Sequence, residues 1–319
     1  MKAIACSAHR RRGAWPAFLA LLVAAPVSAW AELRVFGNTT TIELAPVLVA
    51  AEALGGAVTV ENGGIPDLFD DSAADVATNA ETQALRQSLD HPDLRIIFTV
   101  AEGYYRIVGR RSAGINTLAD LRGKRVSTIA VTSSGYYLHK MLGTVGMTID
   151  DVTLVPLTPL NLIPNALASR EIDAVTIWEP EIQLAAEAVG TDAIEFQDRI
   201  VYRELFNLNT TAAALADPEK RREIVAFVRT LIAATERIAA EPSVAWPLVS
   251  ARTGYDVALI ERVWHHEGYP GTLVDDLLDV LVEEDVYIAR ERNRAPRTRA
   301  ELATFIDTSV LEEALSPPD

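Results

Sequence analysis

Three hydroxyls and a glycine, Thr132-Ser133-Ser134-Gly135, follow a β-branched run from Val126 to Val131 where a helix is expected to begin, and with Tyr136 next to them they are the candidate ligand-binding residues of this turn. The first amides of a helix have no intrahelical partners and sit at the positive end of its dipole. Hydroxyls at that point, with a glycine that lets a backbone or a ligand come close, suit a small anion or a polar head group. On these grounds Ser133, Ser134 and the amide of Gly135 are expected to hold a polar group of a ligand; the alternative is that the serines cap their own helix. Polar and aromatic residues stand at other strand ends too: Asn38, Thr39 and Thr40, then Asn79 and Glu81, then Tyr104 and Tyr105, then Thr158, and finally Trp178 and Glu179 before Pro180. Thr39 and Thr40 read equally well as caps of a helix at Ile42, Glu81 as an acid favouring a helix dipole, and Glu179 as an N-cap. Trp178 offers a flat apolar wall. Tyr104 and Tyr105 alternate along a strand, so one faces a cleft and the other packs inward.

These residues are candidates for binding a ligand and do not form a catalytic set. The five histidines are His9, His91, His139, His265 and His266, with no His-Glu-x-x-His pair. Neighbours such as His265-His266-Glu267 do not share a helix face, so no metal site is expected there. No Gly-x-Ser-x-Gly elbow and no phosphate-loop consensus occurs, and neither cofactor nor catalytic residue is expected.

A site of this kind requires elements that bring strand ends together. Alternation and turn residues predict strands at Glu32 to Phe36, Val58 to Glu61, Asp75 to Thr78 and Leu94 to Val100. Helices are expected between them, at Ile42 to Leu54, after Pro66 and up to Leu89. A strand at Arg106 to Arg110 leaves this series and a second series follows. It has strands at Val126 to Val131, Val152 to Leu157, Asp173 to Trp178 and Ala193 to Phe196. Its helices are at Leu118 to Leu121 and at about Gly135 to Val145, Leu160 to Ser169 and Pro180 to Val189. Such alternation predicts α/β lobes with largely parallel sheets covered on both faces, and ligands gather outside the carboxyl ends of such strands. From Asp217 onward the chain reads as helical, opening on the cap Asp217-Pro218-Glu219. Further helices are expected at about Ser243 to Ser250, Tyr255 to His266, Leu273 to Glu291 and Arg299 to Ile306, and the basic stretch Arg290 to Arg299 has no assigned role.

Residues 1–31 read as an export signal. Lys2 and Arg10, Arg11 and Arg12 are basic, Ala14 to Ala25 is too short to span a bilayer comfortably, and Ser28, Ala29 and Ala31 allow cleavage after Ala29 or Ala31. The one cysteine, Cys6, lies in the basic region and not where a lipid anchor would stand. Removal of this segment takes away four basic residues and no acidic one, moving the formal net charge from −15 to −19. Nucleic acid and anionic membrane are repelled by such a surface and are not expected as partners. The remaining length suits two domains of ordinary size in a soluble, periplasmic, cysteine-free monomer.

Several segments in order carry a family resemblance. Thr117-Leu118-Ala119-Asp120-Leu121-Arg122-Gly123-Lys124-Arg125-Val126 resembles the S-L-A-D-L-K-G-K-K-V signature of periplasmic solute-binding proteins of ABC importers. Gly146-Met147-Thr148-Ile149-Asp150-Asp151-Val152 resembles the G-L-x-x-D-D-V of the nitrate, sulfonate and taurine branch, which has thiamine-pyrimidine-precursor-binding relatives. Ala166-Leu167-Ala168-Ser169-Arg170-Glu171-Ile172-Asp173-Ala174 with Trp178-Glu179-Pro180 is similar to A-L-x-S-G-E-I-D-A and W-E-P of the same branch. The resemblance implies the type II periplasmic-binding-protein fold: two Rossmann-like lobes joined by two crossover segments, with the ligand in the cleft between them. One lobe would hold residues 32–105 and 200–319, the other 106–199. It also implies hinge closure on a small molecule and delivery to an ABC permease of the inner membrane.

The family default is a small oxyanion such as a sulfonate, nitrate or carboxylate. Glu81, Glu179 and Glu102 would repel a bare anion, whereas Trp178, Tyr104 and Tyr105 suit a ring or an ammonium group. An organic ligand carrying a nitrogen, zwitterionic or heteroaromatic, is therefore favoured over nitrate or a simple alkanesulfonate. The alternatives are an oxyanion binder, a ligand-binding input to a sensor, and an enzyme of the thiamine-pyrimidine type, whose cysteine cluster is absent from a mature chain without cysteine.

Overall fold

Two β-sheets organise residues 32–317, the part of the chain that the computed structural model describes. The expected export signal, residues 1–31, lies outside the described residues. Among those described, no helix is long and apolar enough to cross a membrane.

The first sheet begins with β1 (Leu33–Gly37), β2 (Val58–Asn62), β3 (Val76–Ala80) and β4 (Leu94–Gly103). The chain then passes through Tyr104-Tyr105 into the second sheet: β5 (Arg106–Arg110), β6 (Arg125–Ser127), β7 (Thr153–Leu154), β8 (Ala174–Ile177) and β9 (Ala193–Phe196). It returns to the first sheet as β10 (Glu204–Thr211) and later adds β11 (Glu267–Gly268). The strand orders are β11-β4-β10-β3-β1-β2 and β7-β6-β8-β5-β9.

Both sheets are mixed, where the alternation of elements predicts largely parallel ones. Parallel pairing holds for β1 with β2 and β3, and for β6 with β7 and β8. β10 lies antiparallel between β3 and β4, and β5 antiparallel between β8 and β9. The cause is the crossings. β4 leaves the first sheet at its carboxyl end, so a strand re-entering from the second sheet starts at that end and must run the other way.

The strand β10 is missing from the sequence expectation because Asn207 and Asn209 make it look polar. Both are fully buried, and their side-chain NH2 groups donate inside the sheet. Thr99 Oγ1 donates to Asn207 Oδ1 at 2.9 Å, and Asn209 Nδ2 donates to the Ala77 carbonyl at 3.2 Å. A helical reading of everything after Asp217 also fails at β11, which pairs with β4 opposite Gly103 and Glu102.

Apolar layers cover both faces of each sheet. The helices Ala45–Leu54, Pro218–Ala240, Trp246–Thr253, Val257–Val263 and Ser309–Leu315 pack on one face of the first sheet. Glu81–Gln87, Leu277–Glu291 and Arg299–Ala303 pack on the other. In the long helix Asp217 Oδ1 accepts from the amides of Glu219 and Lys220, the expected cap, and Ile224, Val225, Val228 and Leu231 form the buried stripe. Each such side chain contributes about 1.5 to 3 kcal/mol by leaving water.

The basic segment Arg290 to Arg299 turns inward at two places. On the helix Leu277–Glu291 the stripe Leu277, Leu281, Ile288 also holds Glu284 and Asp285, both fully buried. Arg294 Nη1 reaches Asp285 Oδ2 at 3.0 Å, and Arg297 donates to Asp285 Oδ1 at 2.8 Å, to Ser88 Oγ at 2.8 Å and to the Leu85 carbonyl at 3.2 Å. The end of the chain is thereby clasped to the helix Glu81–Gln87.

Candidate functional site

The strand β6 stops at Ser127, short of the Val131 expected from its β-branched run, because the chain turns early. Ile129 accepts from the amide and the hydroxyl of Thr132, at 3.1 and 2.8 Å, and the helix Ser133–Gly143 begins at once. Gly135 is required by that turn. A Cβ there would stand 2.2 Å from the Ala130 carbonyl oxygen, so the close approach made possible by glycine is to backbone.

Between the sheets, where Tyr105 crosses, lies a cavity of about 380 Å³. Asn38, Thr41, Glu43, Asn79, Ala80, Gln83, Glu204 and Phe206 line it from the first sheet, and Thr132, Ser133 and Trp178 from the second. A smaller compartment of about 200 Å³ shares Glu43, Tyr105 and Trp178 with it and adds Gly103, Tyr104, Ile177, Glu179, Ile182 and Glu267. Gln83 Nε2 donates to the Val131 carbonyl at 2.8 Å across the gap between the sheets.

Carboxylates dominate this surface. Ser133 Oγ donates to Glu204 Oε1 at 2.6 Å, and the Tyr105 hydroxyl donates to the same oxygen at 3.3 Å. The other oxygen, Glu204 Oε2, is buried without a partner, as are the Oε2 atoms of Glu43, Glu179 and Glu267. Burial, and next the neighbouring Glu204, pushes Glu43 up to about 8. Burial and then the charge of Glu81 push Glu204 up to about 8 as well. Burial, then repulsion from Glu43, Glu204 and Glu179, holds Glu267 well above the usual carboxylate range.

Among the described residues, no arginine or lysine lines either compartment. Arg106 stands behind the wall and pairs with one lining acid: its Nη2 reaches Glu179 Oε1 at 2.8 Å and Gln183 Oε1 at 2.6 Å, and its Nη1 reaches Glu195 Oε2 at 2.6 Å. Burial still prevails over Arg106 at Glu179, raising it to about 7. His266 sits 3.9 Å from Glu179, and burial, with Arg106 next, drops its imidazole to about 3, so it is neutral.

Of the residues singled out in the sequence, Asn38, Asn79, Tyr104, Tyr105, Thr132, Ser133, Trp178 and Glu179 line these compartments. The others stand apart. Thr39 donates its amide and hydroxyl to Asn62 Oδ1, and Thr40 donates both to Asn38 Oδ1, so neither caps the helix, which starts only at Ala45. Ser134 Oγ lies 3.0 Å from both Thr128 Oγ1 and Thr132 Oγ1, inside a hydroxyl cluster behind the cavity wall. Tyr136 packs its ring on Tyr202 and Tyr287, and Thr158 is exposed away from the cavity. Glu81 is buried beneath the floor, accepting from the Tyr202 hydroxyl and, at 2.8 Å, from the Leu205 amide. Burial raises it to about 7 against those bonds.

The sequence expectation omits Glu43, Gln83, Glu204 and Glu267. A signal existed for Glu43, a lone charge in the apolar run Ile42 to Ala51. Glu204 and Glu267 open the two strands that polarity and brevity concealed.

Comparison with known proteins adds a family and a fold. The family described as NMT1/THI5 like matches residues 58–245. A protein of Brucella abortus (strain 2308) described as a binding protein is 38% identical over 76 residues, 24% of this chain and 24% of its own length, so the match spans about a quarter of that relative. The periplasmic aliphatic sulphonate binding protein SsuA from Escherichia coli superimposes with a TM-score of 0.71 at 16% identity, over 87% of this chain and 92% of that one. The desulfurization enzyme DSZB superimposes with a TM-score of 0.60 at 17% identity, over 89% and 99% of the two chains. Most of the similar solved structures are substrate-binding proteins, and the shared fold is that of periplasmic binding proteins, with the two sheets and two crossings described above.

Proposed function

The chain belongs to the NMT1/THI5-like family, and from that premise we propose that it is the periplasmic, monomeric, non-catalytic substrate-binding subunit of an ABC importer. Its ligand is a small organic molecule bearing a protonated nitrogen, captured between lobes of residues 32–105 with 200–319 and 106–199. The lobes close on it and present it to a membrane permease. One observation supports the nature of the ligand: Glu43, Glu179, Glu204 and Glu267 line the cavity and, among the described residues, no cationic side chain does. An N–H⁺ donor answers the unpartnered carboxylate oxygens, and hydrogen bonds to charged groups contribute about 1.5 to 3 kcal/mol each. Trp178, Tyr104, Tyr105 and Phe206 give the rest of the molecule apolar and π-rich walls. A sulfonate in the same place would meet the carboxyl groups of Glu43, Glu204 and Glu267 with, among the described residues, no cationic side chain lining the space beside them.

A thermal-shift panel at about pH 8 separates the possibilities, because a ligand at 100 times its dissociation constant adds about 2.7 kcal/mol. Amines, nitrogen heterocycles or zwitterions should raise the melting temperature by several degrees. A rise with alkanesulfonates, taurine or nitrate, and none with the nitrogen compounds, restores the oxyanion reading.

The two serines divide on this proposal. Ser133→Ala removes the hydroxyl that donates to Glu204 Oε1 and orients its carboxyl at the cavity wall, and should weaken binding of the best ligand of the panel about tenfold by calorimetry. Ser134→Ala should leave affinity within about twofold and cost about 1 kcal/mol of stability, the worth of one hydrogen bond in its cluster. Equal losses of affinity in the two variants would show that the turn acts as a unit.

A further inference from the structure

We propose that the ligand is an organic dication, with two N–H-bearing cationic ends joined by a short apolar spacer. The inference rests on the nitrogen-cation reading above and adds the number and placement of the charges.

The two compartments each have their own acids. Glu204 lines the larger, Glu179 and Glu267 line the smaller, and Glu43 lines both. Trp178 and Tyr105 also line both, which sets an indole and a phenol where the compartments meet. In each compartment at least one carboxylate oxygen is buried with no donor from the chain: Glu204 Oε2 in one, Glu267 Oε2 and Glu179 Oε2 in the other. Glu43, Glu179 and Glu204 are 3%, 3% and 4% exposed. Arg106 engages Glu179 only through Oε1.

A single ammonium group answers the oxygens of one compartment. The other is then left with a buried, unpartnered carboxyl, which is costly. Two cationic ends satisfy both, and the rings between them suit methylene groups or an aryl linker and add cation–π attraction. A metal ion does not fit the arrangement, since among the described residues no three acidic, histidine or cysteine side chains are grouped to hold one.

Calorimetry at about pH 8 tests this with α,ω-diamines of three to six carbons and 4-guanidinobutylamine, each against the primary monoamine of equal chain length, with singly charged nitrogen heterocycles alongside. At least one doubly charged compound should bind about a hundredfold or more tighter than its singly charged counterpart. Glu204→Gln and Glu267→Gln, each altering a different compartment, should separately bring that affinity down toward the monoamine value while changing the monoamine less. A monoamine or heterocycle that binds as tightly as the best dication overturns the inference and leaves the cation reading standing. The absence of binding by every dication also overturns it, and binding of sulfonates in place of all nitrogen cations removes both readings.

Discussion

At about pH 8.5, Glu204→Gln should raise the melting temperature of the ligand-free protein, and the gain should shrink as the pH is lowered to about 5. In the folded state Glu204 is pushed from 4.5 to about 8 by burial and by the charge of Glu81. A carboxyl whose pKa is higher folded than unfolded contributes stability that is complete below the unfolded value and is lost as pH rises through the folded one. Above about pH 8, therefore, the native protein carries a buried negative charge that the unfolded chain carries in water at no such cost. A tenfold change in a group's proton affinity corresponds to about 1.36 kcal/mol, so the swing amounts to several kcal/mol for this residue, as an order of magnitude. Glutamine keeps an acceptor for Ser133 and Tyr105 and removes the charge. His266 works in the opposite direction: its depressed pKa gives stability above its unfolded value that is lost as the medium becomes acidic. That contribution is common to both proteins and cancels in the difference between them. Melting curves of the two proteins across the pH range provide the measurement, and a difference that stays flat or grows toward acid would contradict the assignment. The same substitution should weaken cation binding, so stability and function pull apart at this residue, as they do where a binding site is held under electrostatic strain.

Much of the fold was legible in the residues because its signals are local. The cap at Asp217 and the stripe Ile224, Val225, Val228 and Leu231 needed only helical periodicity, and β1 to β5 needed only alternation bounded by turn residues. What escaped depends on partners distant in sequence. Asn207 reads as a turn residue until Thr99 is beside it, 108 positions away, and only then is β10 a buried strand. The cavity illustrates the same limit. Ser133 and Trp178 announce themselves at a strand-to-helix turn, but Glu204 and Glu267 belong to the wall only because β10 and β11 flank β4. The acidic character of the cavity is foreshadowed by Glu179, while Glu81 lies beneath the floor on Tyr202 and the Leu205 amide, and its charge helps to raise the pKa of Glu204. Glu283-Glu284-Asp285 looks like a solvated run, yet Glu284 and Asp285 occupy the inner stripe of their helix with Leu281 and Ile288. Acids at core positions of an amphipathic helix imply buried cationic partners, and the arginines of the segment that followed were the available ones for Asp285.

Asp285→Ala should therefore destabilise the protein by about 3 to 5 kcal/mol, the usual consequence of breaking a buried ion pair from one side. The carboxylate is fully buried, and both Arg294 and Arg297 converge on it, with a further bond from the Arg297 amide at 2.7 Å. Despite the upward push of burial, hydrogen bonds from Arg294 and Arg297 hold its pKa below the ordinary 3.8, so this contribution is present above that value and is lost only in acid. Arg297 also ties to Ser88 and to the Leu85 carbonyl, so the loss extends to the contact between the helices Leu277–Glu291 and Glu81–Gln87. At roughly 2 to 4 °C per kcal/mol, the fall in melting temperature should be on the order of ten degrees. Arg299→Ala is the control on the same segment: its pair with Asp279 is more than half exposed on both sides, and such pairs contribute little. A variant at Asp285 that melts within about 2 °C of the parent would place the holding force in the apolar stripe alone. The helix concerned also reaches the second sheet, where Tyr287 packs 5.1 Å from the ring of Tyr136 and Glu283 pairs with Lys140. Loosening it should therefore reduce ligand affinity without altering which ligands bind, because no residue of the clasp lines the cavity.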